Sequence, residues 1–156
     1  MQEAEEKNEK NGDGYGIGWD GERTETGLDR EIMPAWNDDN LKHLTAQIRS
    51  RLFFAHVRAS TGTSTTRSNC HPFTHGRWLF MHNGQIGGYA KIRRKLEQML
   101  PDSLYCGRQG TTDSELIFLL ALSLGLSHRH ILRCRRLLTC SSRCSTVHQK
   151  TDVKWY

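Results

Sequence analysis

The chain has 156 residues, which is enough for one domain with a hydrophobic core. No apolar run reaches the roughly 18 residues that a membrane-spanning helix needs, so we expect no membrane partner. The formal net charge of +5 would suit a nucleic-acid-binding protein, but seven of the 22 lysines and arginines lie in residues 127–156, against one acidic residue. The excess of basic charge belongs to that segment, and we expect no nucleic-acid partner.

The first residues carry no recognisable secretory signal, and they predict a turn followed by a strand. Residues 1–10 are charged and resemble no secretory signal, which predicts the cytoplasm. A Gly-rich turn at 11–14 leads into 15–19, where large residues alternate with glycine. This alternation predicts a strand with one face closely approached by other backbone, and its spacing does not match a dinucleotide-binding loop. Residues 20–28 are predicted to form a hairpin or loop.

The centre of the chain predicts one helix and two strands. Residues 38–40 can cap a helix, and apolar residues between 41 and 52 follow helical spacing. Two short β-prone runs, 52–57 and 78–81, predict strands. The Gly-, Ser- and Thr-rich segment 61–69 predicts a loop between them.

Two further helices are predicted after the second strand. Residues 92–100 have an amphipathic pattern that Pro101 is expected to end. Residues 112–115 match a capping box, and the nearly all-apolar run 116–126 predicts a helix buried against a sheet.

Polar residues suited to substrate recognition follow these elements. Arg58 follows the first strand and offers a planar fork of donors for a carboxylate. Asn83 and Gly84 follow the second strand and offer two N–H donors, which suits an oxyanion hole. Asp113 begins the last helix and can bind an ammonium group. Each also has a structural interpretation. Arg58 could form a surface ion pair, Asn83-Gly84 could form a type I′ turn, and Asp113 could interact favourably with the helix dipole.

Five motifs in this order resemble one family. HVRAST (56–61), HNG (82–84) and TTDSE (111–115) resemble the glutaminase domain of class II glutamine amidotransferases, which are N-terminal-nucleophile hydrolases. NGDGYGIGW (11–19) and NCHPF (69–73) fit the same family, and small single-domain bacterial-type members look most similar. The resemblance covers residues 1–126. It implies an α+β fold, the four-layer αββα sandwich with antiparallel sheets packed between helices.

The resemblance also implies a reaction and a set of roles. The family hydrolyses the side-chain amide of glutamine to glutamate and ammonia, without a metal or an organic cofactor. Asn83 and Gly84 would hold the oxyanion, Arg58 the substrate α-carboxylate and Asp113 its α-ammonium, while Thr61 would line the same pocket. We therefore expect these residues to converge on one pocket that binds a small-molecule substrate.

The family's nucleophile has no counterpart in this sequence. It is a cysteine that becomes the first residue of the mature chain, whereas Met1 is followed here by Gln2 and the first cysteine is Cys70. The strands that family members place before NGDGYGIGW are also missing. Cys70 lacks the free α-amino group that serves as the base, so it is not expected to replace the nucleophile. The sequence thus predicts an N-terminally truncated domain that is inactive as written.

Two alternative functions stay open. The first is a γ-glutamyl hydrolase that acts on a γ-glutamyl thiol or peptide, and the second is a non-enzymatic remnant or binding module. A zinc site at Cys70, His71 and His75 is not expected, because no C-x-x-C pair accompanies them to complete the ligand set. The sequence identifies neither an ammonia acceptor nor an oligomeric state.

Residues 127–156 form a basic tail with no match to the family. They hold three of the five cysteines, unevenly spaced, which does not indicate a disulfide framework. The tail has three open interpretations: an unrelated C-terminus, an unstructured segment, or the product of a shifted reading frame. We expect it to be dispensable for the fold.

Overall fold

The structure is a computed structural model that describes residues 12–59, 63–125 and 133–135. Two short 3-10 helices lie at Ala35–Asn37 and Arg67–Asn69. The other elements, in chain order, are β1 (Tyr15–Trp19), β2 (Gly27–Glu31), α1 (Asp39–Gln47), β3 (Phe53–Val57), β4 (Phe73–His75), β5 (Trp78–Asn83), α2 (Tyr89–Glu97), α3 (Asp102–Tyr105), α4 (Asp113–Ser123) and β6 (Arg133–Arg135).

These strands form two sheets. In the first sheet β1 lies between β2 and β3, and both pairings are antiparallel. In the second sheet β5 lies between β4, which is antiparallel to it, and β6, which is parallel. The prediction of a mixed fold with antiparallel sheets is confirmed. The parallel β5–β6 pair was not predicted.

The glycines of β1 allow the first sheet to pack closely against the second sheet. A Cβ atom on Gly16 would lie 2.0 Å from the carbonyl oxygen of His71. One on Gly18 would lie 2.6 Å from Pro72 and 2.7 Å from Leu79. Because these contacts belong to β5 and to the segment that enters β4, this face of the first sheet packs directly on the second. The predicted close approach of other backbone to β1 is confirmed.

The opposite face of the first sheet is apolar and is partly covered by α1. Thr45 of α1 and Ile48 after it line a groove of about 260 Å³ together with Trp19 and Phe53 of the sheet. Phe53 stays 56% exposed at the edge of this face.

Helix α4 is apolar on all sides because it packs against two different surfaces. Phe118 stacks on Phe80 of β5 with ring centroids 5.2 Å apart, and it contacts Phe73 of β4. Leu116 and Leu119 pack against side chains of α2 and α3. The prediction of a helix buried against a sheet is confirmed.

Two predicted helix ends are wrong. Asp38 does cap α1, since its Oδ1 accepts the N–H of Leu41 at 3.1 Å, but α1 ends at Gln47. Ile48 is already extended, because the chain turns there towards β3. Helix α2 ends at Glu97, and Pro101 is the residue that precedes α3, a short helix the sequence did not predict.

None of the helices within the described ranges is long and apolar enough to cross a membrane. Strand β6 falls within the predicted tail, and the other residues of that tail lie outside the described residues. The division of the chain at residue 126 stays a prediction.

The packing of β1 predicts the effect of a single methyl group. We expect Gly16→Ala to destabilise the protein by about 2–3 kcal/mol or more, because its Cβ has no space against the His71 carbonyl. Gly21→Ala, in the same hairpin, meets nothing closer than 4.0 Å and should change stability by less than about 1 kcal/mol. Chemical denaturation measures both variants. Equal denaturation midpoints for the Gly16→Ala and Gly21→Ala variants would contradict the close packing of the two sheets.

Candidate active site

The end of β5 presents the predicted pair of amide donors. Asn83 is the last residue of β5, Gly84 follows it, and both are exposed. His82, just before them, is buried, and a Cβ on Gly84 would lie 2.9 Å from its Nε2. Glycine is therefore the residue that fits at 84, because the imidazole of His82 occupies the space of a side chain.

The start of α4 is bonded to this turn on both sides. Asp113 is 9% exposed, and its Oδ2 accepts the N–H of Ile86 at 2.6 Å while its Oδ1 accepts the N–H of Ser114 at 2.8 Å. The hydroxyl of Ser114 is hydrogen-bonded to Nδ1 of His82 at 2.9 Å. The first two residues of α4 thus bind the chain both before and after the Asn83–Gly84 pair.

The predicted capping box is only half formed. Oγ1 of Thr112 accepts the N–H of Glu115 at 3.2 Å, as predicted. The carboxylate of Glu115, however, accepts the N–H groups of Gln109 at 2.9 Å and Gly110 at 2.8 Å. It does so because Arg108, whose Nε lies 3.6 Å from Glu115, holds it over the preceding loop. This buried pair fixes the loop that leads to Asp113.

Asn69 joins the loop after β3 to the loop before α4. Its side chain is 1% exposed, its Oδ1 accepts the N–H of Thr111 at 2.8 Å, and its Nδ2 donates to the carbonyl of Ser64 at 2.9 Å. The segment that follows Arg58 is therefore attached to the segment that precedes Asp113.

Arg58 is a buried residue at the end of β3. It is 5% exposed, and its Nη2 donates to Oγ1 of Thr63 at 2.7 Å and to the carbonyl of Ser64 at 3.1 Å. The side chain of Arg58 is therefore not on the surface, where the alternative of a surface ion pair would place it. Thr61, the other substrate-binding residue predicted in this loop, lies outside the described residues.

Three buried or half-buried histidines occupy the space between β3 and β5. The rings of His56 and His71 lie 4.6 Å apart. Burial, together with the positive charge of nearby Arg58, lowers the pKa of His56 to about 4. Burial lowers the pKa of His71 to about 3, with further contributions from His56, His82, Arg58 and Arg30. Burial also lowers the pKa of His82, and Asp113 opposes that shift. All three imidazoles are thus neutral at neutral pH.

His71 is electrostatically coupled to residues at the ends of both β3 and β5. Because its pKa responds to both Arg58 and His82, it lies within electrostatic range of the ends of β3 and β5. Both of its ring nitrogens are buried without a hydrogen-bond partner within the described ranges. Among the same residues, no group of three or more His, Cys, Asp or Glu side chains is placed to hold a metal ion.

Cys70 is fully buried beside this cluster. Burial raises the pKa of its thiol, although Arg58 and Arg30 oppose the shift. A buried neutral thiol is a poor nucleophile, since the thiolate is the reactive form.

The structure therefore places Asp113 beside the turn that contains Asn83 and Gly84. It places Arg58 directly after β3, the strand that packs against β5. Sequence reasoning missed the partners of these residues. His82 was quoted only as part of the HNG motif and was given no role, although its place directly before Asn83 was a usable signal. Ser114 gave no such signal, because its bond joins residues 32 positions apart.

Comparisons with known proteins agree on one family. The model of the family described as "Glutamine amidotransferases class-II" matches residues 1–136. The chain is 46% identical over 117 residues to the probable glutamine amidotransferase DUG3 of Saccharomyces cerevisiae, covering 72% of this chain and 33% of that protein. It is 31% identical over 117 residues to a gamma-glutamyl-hercynylcysteine sulfoxide hydrolase of Mycolicibacterium smegmatis, covering 74% of this chain and 47% of that protein.

A solved structure supports the same relationship. The glutamine aminotransferase class-II domain protein from Silicibacter pomeroyi matches with a TM-score of 0.65 and 46% sequence identity. The match covers 74% of this chain and 49% of that one. The chain spans less than half the length of each of these three relatives.

The buried histidines predict a pH-dependent stability. The pKa values of His71 and His56, about 3 and about 4 in the folded protein, lie below their ordinary value of 6.5, so the unfolded chain binds these protons more strongly. The free energy of unfolding should therefore fall as the pH drops from 6.5 towards 4, by about 1.4 kcal/mol per pH unit for each imidazole.

Denaturation at several pH values measures this slope. His71→Phe, which removes one of the three histidines with a lowered pKa, should reduce the slope between pH 6.5 and 4 by about 1.4 kcal/mol per pH unit. Identical slopes for the two proteins would show that His71 is not buried in the neutral form.

Proposed function

This chain belongs to the class II glutamine amidotransferases, and on that premise we propose that its site binds the glutamyl head of glutamine. The observation that supports the proposal most directly is the bond between the Asp113 carboxylate and Ile86, at 2.6 Å. It joins a buried anion to the turn that presents Asn83 and Gly84, and Arg58 supplies a buried cation from the strand that packs against β5.

Each polar end of glutamine then has one recognition group. The guanidinium of Arg58 binds the α-carboxylate through its planar fork of donors. Asp113 binds the α-ammonium, since each of its oxygens accepts one backbone N–H and keeps a second acceptor position. The N–H groups of Asn83 and Gly84 bind the side-chain amide oxygen. Thr61 is assigned to the same pocket from the family motif.

The reaction proposed for such a site is hydrolysis of the side-chain amide. In the family mechanism an N-terminal cysteine thiolate attacks the amide carbon, and the α-amine transfers the proton. The donors at Asn83 and Gly84 stabilise the negative oxygen as it forms. Ammonia leaves, and water hydrolyses the γ-glutamyl thioester to glutamate. Because Cys70 is fully buried, it is not assigned the role of the nucleophile, and the described residues are proposed to bind the glutamyl head.

The proposal includes the four-layer αββα arrangement and the cytoplasmic location predicted from the sequence. The position of α1 beside the outer face of the first sheet supports the first two layers. The packing of α4 on β4 and β5, with α2 and α3 beside it, supports the other two.

A γ-glutamyl hydrolase is the second candidate function, and the relative from Mycolicibacterium smegmatis favours it. The same recognition groups serve both functions, because glutamine and γ-glutamyl compounds share the glutamyl head. Calorimetric titration with L-glutamine and with a γ-glutamyl dipeptide distinguishes them by relative affinity. Binding of neither ligand would favour the third interpretation, a remnant without substrate.

The role of Arg58 is tested by binding rather than turnover. Binding reports this contact directly, whereas turnover depends on every step of the reaction. Arg58→Lys keeps the charge but removes the fork, and it should weaken L-glutamine binding by a factor of about 10–100. Isothermal titration calorimetry measures this change.

Two controls isolate the direct contact. 4-Aminobutanamide lacks the α-carboxylate, so its affinity should be the same for the wild-type and Arg58→Lys proteins. Arg77→Lys changes an exposed arginine and should leave glutamine binding unaffected. An equal loss of affinity for both ligands in Arg58→Lys would mean that Arg58 only holds the loop at Thr63 and Ser64.

A further inference from the structure

The turn after β5 contains little that would fix its own conformation. Residues 84–88 include Gly84, Gly87 and Gly88, and Gly88 has a φ of 68°. Glycine loses more conformational freedom on folding than any other residue, so such a segment is costly to order. An oxyanion site requires donors that are already in place before the charge develops. The order must therefore come from contacts outside the turn.

Those contacts come from the first two residues of α4. Ser114 is hydrogen-bonded to His82 on the strand side of the turn, at 2.9 Å, and Asp113 accepts the N–H of Ile86 on the far side, at 2.6 Å. Between the two bonds, the His82 ring lies directly under Gly84, where a Cβ would come within 2.9 Å of Nε2. The groups on both sides of the Asn83–Gly84 pair are thus fixed to one rigid helix end.

The Ser114–His82 pair is itself well protected. Ser114 is 3% exposed and His82 is 7% exposed, and the ring of His82 lies over Phe80 with centroids 6.4 Å apart. Water therefore cannot readily replace the hydroxyl as the partner of Nδ1. Loss of this hydroxyl would leave a buried ring nitrogen unpaired and release the imidazole from its position.

We propose that Ser114 and His82 are positioning residues that hold the amide donors of Asn83 and Gly84 in place for the side-chain amide oxygen of the substrate. The inference rests on the proposed function, which assigns those donors to that oxygen. Asp113 cannot test it, because the same carboxylate is proposed to bind the α-ammonium. The hydroxyl of Ser114 touches no part of the proposed ligand and acts through His82, while the backbone N–H of Ser114 that donates to Asp113 is kept in an alanine variant.

A comparison of two ligands separates positioning from general structure. L-Norvaline has the α-carboxylate, the α-ammonium and the three-carbon side chain of glutamine, but it lacks the amide. Ser114→Ala should weaken L-glutamine binding by about tenfold and leave L-norvaline binding within about twofold of wild type. Ser114→Thr keeps the hydroxyl and should restore glutamine affinity. Ser123→Ala, the same change at the exposed other end of α4, serves as the control.

The outcomes distinguish this inference from the proposed function. If the wild-type protein does not bind L-glutamine, the proposed function fails and the inference fails with it. If the wild type binds glutamine but Ser114→Ala loses both ligands equally, or neither, the positioning role is overturned while the proposed function stands. If Ser114→Ala does not fold, His82→Gln is measured with the same two ligands, and a selective loss of glutamine affinity is again the expected result.

Discussion

The close contact between β1 and the His71–Pro72 segment is the constraint on which the rest of the structure depends. Only glycine at 16 and 18 allows the two sheets to approach this far, since a Cβ at either position would overlap the opposite segment. That approach places β3 against β5, and therefore brings the strand that Arg58 follows next to the strand that ends at Asn83. A wider spacing would leave these residues on separate surfaces.

The same contact decides which groups between the sheets are charged. Burial favours the neutral forms of His56 and His71, and the nearby positive charge of Arg58 adds to this preference. The carboxylate of Asp113 accepts two backbone N–H groups, those of Ile86 and Ser114. A guanidinium and a carboxylate beside neutral imidazoles are the groups expected for the zwitterionic head group that we propose as the ligand.

The sequence predicted elements whose patterns are local. The alternating glycines of β1, the apolar runs of β3 and β5 and the uniformly apolar α4 could all be recognised, because each pattern reflects burial of that element alone. The true ends of α1 and α2, and strand β4, could not, since contacts with distant segments determine them. In the proposed site, Arg58, Asn83, Gly84 and Asp113 were predicted from motifs at element ends, and their roles stay predictions. The Ser114–His82 bond depends on how α4 packs against β5, which no local pattern shows.

A crystal structure with L-glutamine bound tests the central claim most directly. The account predicts the α-carboxylate within about 2.7–3.2 Å of the Arg58 guanidinium and the α-ammonium at the same distance from the Asp113 carboxylate. It also predicts the side-chain amide oxygen facing the N–H groups of Asn83 and Gly84. Glutamine bound elsewhere, or bound here with its amide oxygen turned away from that pair, would contradict it.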